Sequence, residues 1–135
     1  MGIEKNAPKV VVSFSGGKDS TWMLLEMMRR NERIDEVVFF DTGWEFPQMY
    51  EHIFKIKLIV QSAGITFTTL HPSQPFDYLM FEKPVKNGHH HGYSWCGYKG
   101  CRWGTTHKTS TIDNYFKSEP DHIQCVGIAA DETDR

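Results

Sequence analysis

The sequence predicts an α/β fold in which helices wrap a parallel sheet. Two patterns and one motif predict it. Short runs of Val, Ile and Phe, apolar at consecutive positions, read as strands buried on both faces. Segments with apolar residues at helical spacing lie between them, and strands alternating with helices in this way form right-handed crossovers. The motif is Gly16-Gly17, which joins the first strand to the first helix.

Lys9 to Phe14 is the first strand. Asp19 or Ser20 opens a helix to about Asn31, with Trp22, Leu25 and Met28 as apolar positions at three-residue spacing. Val37 to Phe40 is the second strand, stopped by the polar Asp41-Thr42-Gly43. Pro47 suits a first helical turn through its fixed φ, and Met49, Ile53, Ile56 and Val60 form one helical face that ends at Gly64. Ile65 to Leu70 is a Thr-enriched third strand. A helix is expected near Pro75 with Phe76, Leu79 and Met80 facing inward, another over Thr109 to Phe116, and a fourth strand over Ile123 to Ile128. Lys86 to Trp103 is a long segment rich in Gly, His and aromatics, and such loops are often functional; the histidines between Gly88 and Gly92 read as an exposed, mobile loop. The chain ends shortly after Ile128, where an open sheet normally continues, so the domain is expected to be incomplete at its C-terminus.

The 135 residues fit one domain, and 39% hydrophobic with 24% charged residues is the composition of a soluble globular chain. Fifteen basic against seventeen acidic residues give a net charge of −2, which offers no broad basic surface for nucleic acid. The N-terminus is polar and the apolar run Val10 to Val12 is far too short for a signal peptide or a membrane span. A cytoplasmic protein without a membrane partner is the expectation. Three cysteines, Cys96, Cys101 and Cys125, argue against a disulfide framework and for reduced thiols or a metal.

The most informative stretch is Ser13-Phe14-Ser15-Gly16-Gly17-Lys18-Asp19-Ser20 after a Val-rich strand. Two glycines let the backbone approach an anion and adopt positive φ. The helix that follows offers unpaired N–H groups and a partial positive charge. Ser15, Lys18 and Ser20 add side-chain donors. The loop differs from a Walker A motif, because Val12 stands where its first glycine belongs and Asp19 follows the lysine. No G-x-G-x-x-G occurs, which argues against a dinucleotide fold. The plainer reading is a strand-to-helix turn with Asp19 as the N-cap.

Other residues carry two readings each. Asp41 either caps the Thr42-Gly43 turn or faces a ligand at the carboxyl end of its strand. Asp131 and Glu132 either bind Mg²⁺ or form a solvated acidic terminus. Cys96 and Cys101, with His107 and the histidine run, could supply zinc ligands, although a fourth ligand is not obvious. Cys125 reads as a small apolar core residue. Trp44, Trp95 and Trp103 flank the site motifs as base-stacking platforms or as core and loop anchors.

The glycine loop resembles the PP-loop of the adenine nucleotide α-hydrolase superfamily. Within it, Phe39-Phe40-Asp41-Thr42-Gly43-Trp44-Glu45-Phe46-Pro47 is similar to the phosphoadenosine phosphosulfate (PAPS) reductase family. So are Gly92-Tyr93-Ser94-Trp95, Cys101-Arg102-Trp103-Gly104-Thr105 with Lys108, and the run from Gly127 to Arg135. The resemblance implies a doubly wound sheet with strand order 3-2-1-4. It implies that Ser13 and the loop from Ser15 through Gly16, Gly17, Lys18 and Asp19 to Ser20 hold phosphate or sulfate. It also implies that Asp41 and Thr42 lie beside ribose or adenine, and that Arg102, Lys108 and Arg135 meet the remaining anionic groups. Gly104 replaces a frequent Cys, and Ala129 replaces an expected Arg. None of the three cysteines matches the C-terminal nucleophile of the reductases.

The expected function is that of a sulfonucleotide reductase-type domain binding ATP, adenylyl sulfate or PAPS, without an assigned catalytic residue. The resemblance implies a thioredoxin-like donor for the full-length protein. No cofactor is required beyond Mg²⁺ if ATP is the substrate. A PP-loop ATP pyrophosphatase and a non-catalytic nucleotide-binding module are the alternatives. A fourth strand left at the sheet edge would invite a homodimer.

Overall fold

A computed structural model describes residues 7–85, 91–93, 107–119 and 121–129. Four strands form a parallel sheet in the order β3-β2-β1-β4 with flanking helices, a doubly wound arrangement. They are β1 (Lys9–Phe14), β2 (Glu36–Phe40), β3 (Thr66–Leu70) and β4 (His122–Val126). The helices are α1 (Lys18–Arg29), α2 (Pro47–Ser62) and α3 (Thr109–Ser118). The chain forms two compact units: Met1–Phe39, Phe46–Thr69 and Glu119–Arg135 in the first, Phe40–Glu45 and Leu70–Ser118 in the second.

In the first unit, parallel register sets Val12 beside Val37 and Cys125, and Phe14 beside Phe39. Paired residues of neighbouring strands point to the same face, so these side chains form one apolar surface. α1 contributes Leu24 to it, and α2 contributes Ile53, Ile56 and Val60. Met49 packs alongside, so the α2 face follows its sequence pattern. The α1 face does not. Trp22 is 67% exposed and Leu25 is also exposed, while Leu24 is fully buried with Met23, Met27 and Met28 around it. Both stripes of α1 are apolar, so spacing alone could not select the inner one. Cys125 is only partly buried, as a thiol packed against this core.

The amino ends of the strands carry a polar network. Glu36, 2% exposed on β2, pairs with Lys9 of β1 at 2.6 Å. Thr68 of β3 donates its hydroxyl to the Glu36 carboxylate, and Lys9 also reaches Glu119, which precedes β4, at 3.1 Å. The hydrogen bond to Glu36, and then the one to Glu119, push the Lys9 ammonium well above its usual range against the opposing effect of burial. One buried carboxylate thereby connects the three strands β1, β2 and β3.

The second unit holds Phe40, Leu79 and Met80 in its core, with Phe76, Tyr93 and Ile112 packed against them. Where a helix was expected after Pro75, Tyr78–Glu82 is a π-helical turn, closed by the Lys83 N–H donating to the Tyr78 carbonyl at 2.8 Å. Gly92, with φ of 74°, returns to this turn: a Cβ there would sit 1.9 Å from the Met80 carbonyl oxygen. The fixed approach lets the Tyr93 N–H donate to the Leu79 carbonyl at 2.9 Å. His91 is exposed and bridges Pro84, while the other histidines of that run lie outside the described residues.

Candidate functional site

The loop after β1 is shaped by one glycine and one serine. Gly16 has φ of 81°, a left-handed conformation that costs a side chain dearly. It is also buried against α2, where a Cβ would lie 3.1 Å from both Ile53 Cγ1 and Met49 Sδ. Ser20, 5% exposed, is the internal strut. Its hydroxyl accepts the Ser15 N–H at 3.2 Å, bonds the Ser15 hydroxyl at 2.9 Å and donates to the Gly17 carbonyl at 3.2 Å. Ser15 in turn accepts the Gly17 N–H at 3.3 Å. The two serine hydroxyls therefore hold the loop to its shape.

Gly17 is the N-cap of α1 in extended conformation, and no side chain caps the helix. Asp19 lies inside the first turn, so it is not the N-cap that a plain turn would need. Amides in the first turn of a helix have no partner within the helix and take one from a side chain, water or ligand. Lys18 is exposed beside them, and among the described residues no acidic group pairs with it. Ser13, near the end of β1, accepts a 2.7 Å hydrogen bond from the Gln124 side chain.

A cavity of about 440 Å³ opens here, lined by Lys18, Asp19 and Trp22 of α1, by Val126 at the end of β4, and by Gly127 and Ala129 after it. It lies at the carboxyl ends of β1 and β4, the switch point of a 3-2-1-4 sheet, where open α/β folds bind ligands. Gly127 makes the closure possible: a Cβ there would lie 2.9 Å from the backbone of Ser20. Sequence reasoning missed Trp22 and Gly127 as site residues. The signal for Trp22 was a large aromatic one turn after Lys18; for Gly127 it was a glycine at a strand exit.

Asp41 and Thr42 occur in the second unit, beside a separate cavity of about 300 Å³ lined also by Trp44, His71 and Phe76. Asp41 accepts the Gly43 N–H at 2.8 Å, and its other oxygen lies 3.8 Å from His71. Thr42 accepts the Trp44 N–H at 3.1 Å and donates to Glu45 at 2.9 Å. Asp41 thus caps its turn and lines this cavity. Trp44 stacks on Phe76 with centroids 4.8 Å apart and planes 21° from parallel, which gives the cavity an aromatic wall. Lys108 lies half-buried just before α3.

Tyr93 collects two basic groups that sequence reasoning did not join. Lys83 donates to its hydroxyl at 3.1 Å, and His107 Nε2 lies 3.4 Å from the same oxygen. Burial, then the Lys83 charge, hold His107 below the usual imidazole range. Among the described residues no cluster of three or more His, Cys, Asp or Glu could hold a metal. Cys96, Cys101, Arg102, Asp131, Glu132 and Arg135 lie outside the described residues, as do Trp95 and Trp103. No helix among the described residues is long and apolar enough to cross a membrane.

The family described as "Phosphoadenosine phosphosulfate reductase domain" matches residues 9–134, which include the glycine loop, Asp41-Thr42-Gly43 and Gly127. No curated protein matches the chain.

Proposed function

Because the chain belongs to the phosphoadenosine phosphosulfate reductase domain family, we propose that it binds an adenine sulfonucleotide through the loop from Ser15 to Ser20. One observation carries the reading: α1 begins without a side-chain cap, beside an exposed Lys18, at the mouth of a cavity at the switch point of the sheet. First-turn N–H groups and one ammonium make a receptor for phosphate or sulfate. The Ser15 and Ser20 hydroxyls shape that receptor from beneath, while Lys18 and the backbone supply its charge and donors. Arg102, Lys108 and Arg135 are proposed to neutralise the remaining anionic groups. The activity proposed is sulfonucleotide reduction with a thioredoxin-like donor. That chemistry needs a thiolate to attack sulfur.

The test is calorimetric titration with PAPS, adenylyl sulfate and ATP, with and without Mg²⁺. Binding of a sulfonucleotide without Mg²⁺ is the expected result. Binding confined to ATP with Mg²⁺ would move the assignment to an ATP pyrophosphatase. No binding of any of the three would sink the nucleotide reading.

A further inference from the structure

α2 meets the loop at two points. Under Gly16 the contact is apolar, through Met49 and Ile53 at 3.1 Å from where a Cβ would stand. One turn along α1 the contact is polar. His52, half-buried between these two residues on α2, places Nε2 at 3.0 Å from the Thr21 hydroxyl. The imidazole ring also packs near Phe14, with centroids 6.5 Å apart. Thr21 belongs to the first turn of α1, and its N–H donates to the carbonyl of the capping Gly17 at 3.0 Å. Through Thr21 the side of α2 is therefore tied to the first turn of α1, whose residues Lys18 and Asp19 line the cavity.

We propose that His52 is a positioning residue for the anion-binding loop, acting through Thr21. The inference rests on the reading of the Ser15–Ser20 loop as a phosphate site. Its physical content is orientation. The amides of the first turn hold an anion only while they point at it. Ser20 fixes the loop from inside, Ile53 and Met49 block its collapse toward α2, and His52 fixes how far the first turn is rotated about the α1 axis. An apolar residue at position 52 would fill the space without fixing that rotation. The imidazole therefore does more here than pack against the core.

The experiment compares His52→Ala, His52→Gln, Thr21→Val and the double variant His52→Ala/Thr21→Val in the full chain. Calorimetry reads affinity for PAPS and for inorganic pyrophosphate, which carries no base, and thermal melting reads stability. A single hydrogen bond corresponds to about a three- to tenfold change in affinity. The expected result is a loss of that size for each single variant, equal for both probes. The double variant should be no weaker than His52→Ala, and Gln should restore most of the affinity through its amide. Unchanged affinity in His52→Ala overturns the inference. So do additive losses in the double variant, or a loss that follows melting temperature and that Gln does not restore. If Lys18→Ala abolishes binding while His52→Ala keeps it, only this inference fails. If the unsubstituted chain binds neither probe, the phosphate reading fails and takes the inference with it.

Discussion

At Gly127 one methyl group decides whether the chain can leave β4 beside α1. The Cβ of an alanine there would meet Ser20 Cα and N at 2.9 Å, and backbone cannot step aside as a side-chain tip can. We expect Gly127→Ala to lower stability by about 1–3 kcal/mol, the range of overpacking. It should also weaken nucleotide binding, because Ser20 is the strut of the loop. Urea unfolding and calorimetry check the two effects separately. Lys18→Ala should do the opposite: leave the melting temperature unchanged, since the side chain is exposed, and weaken nucleotide binding at least about tenfold, as loss of a charge-assisted bond does. Equal affinity in that variant would remove Lys18 from the site. The contrast also marks what a sequence can tell at this scale. Gly16-Gly17-Lys18 was legible because glycine reports a backbone need directly. Ser20 was legible as a donor but not as a buried strut, since residue type does not reveal which way a hydroxyl faces. Gly127 stands over a hundred positions from Ser20, and no local pattern signals an approach between them.

At the scale of elements, β1 and β2 were legible within a residue or two because a buried parallel strand leaves a nearly continuous apolar run, while β3 and β4, only partly buried, were legible from β-rich composition and from the alternation of strands with helices. α2 was legible from the helical spacing of Met49, Ile53, Ile56 and Val60, although Phe54, Leu58 and Ile59 of the same helix are exposed. α1 was not, since Trp22 and Leu25 compete with Met23, Leu24 and Met27 and only the fold decides between them. The π-helical turn at Tyr78–Glu82 was not legible either: its Leu79 and Met80 were correctly placed inside, but hydrogen-bond register leaves no trace in apolar spacing. The ionic network at the strand starts was invisible for a different reason. Lys9, Glu36 and Thr68 are far apart in sequence and become neighbours only by sheet pairing. Its weight is testable. Lys9→Ala leaves Glu36 charged, buried and without its ammonium, which should cost about 3 kcal/mol, the lower end for a broken buried pair because solvent reaches part of Lys9. Chemical denaturation checks it, and a loss under about 1 kcal/mol, the level of a surface pair, would show that the pair is solvated.

At the scale of the molecule, the titrations of Glu26, His107 and Lys9, all among the described residues, bear on stability. Glu26 is drawn from 4.5 down to about 2, chiefly by hydrogen bonds from Arg29 and then Arg30. A depressed carboxylate stabilises the fold above its unfolded value, so this contribution is complete above about 4.5 and fades as pH falls toward about 2. His107 is also depressed from 6.5, so folding opposes its protonation and stability declines as pH drops below that value. Lys9 is raised from 10.5, so its contribution is present below that pH and is lost only as pH rises beyond it. The denaturation midpoint should therefore be level from about pH 7 to 10 and fall on the acid side first. A midpoint that rises on acidification from pH 7 to 5 would contradict the His107 assignment. The ionic network sits at one end of the β-strands and the glycine loop at the other, and strands of this length separate them by roughly 17–20 Å. Substitutions that far apart add without cross-talk. Substitutions around the loop can therefore be tolerated to the extent that the opposite end supplies surplus stability. For laboratory evolution the same separation sets a practical order: reinforce the Lys9–Glu36 end first, then randomise around Lys18 and Trp22.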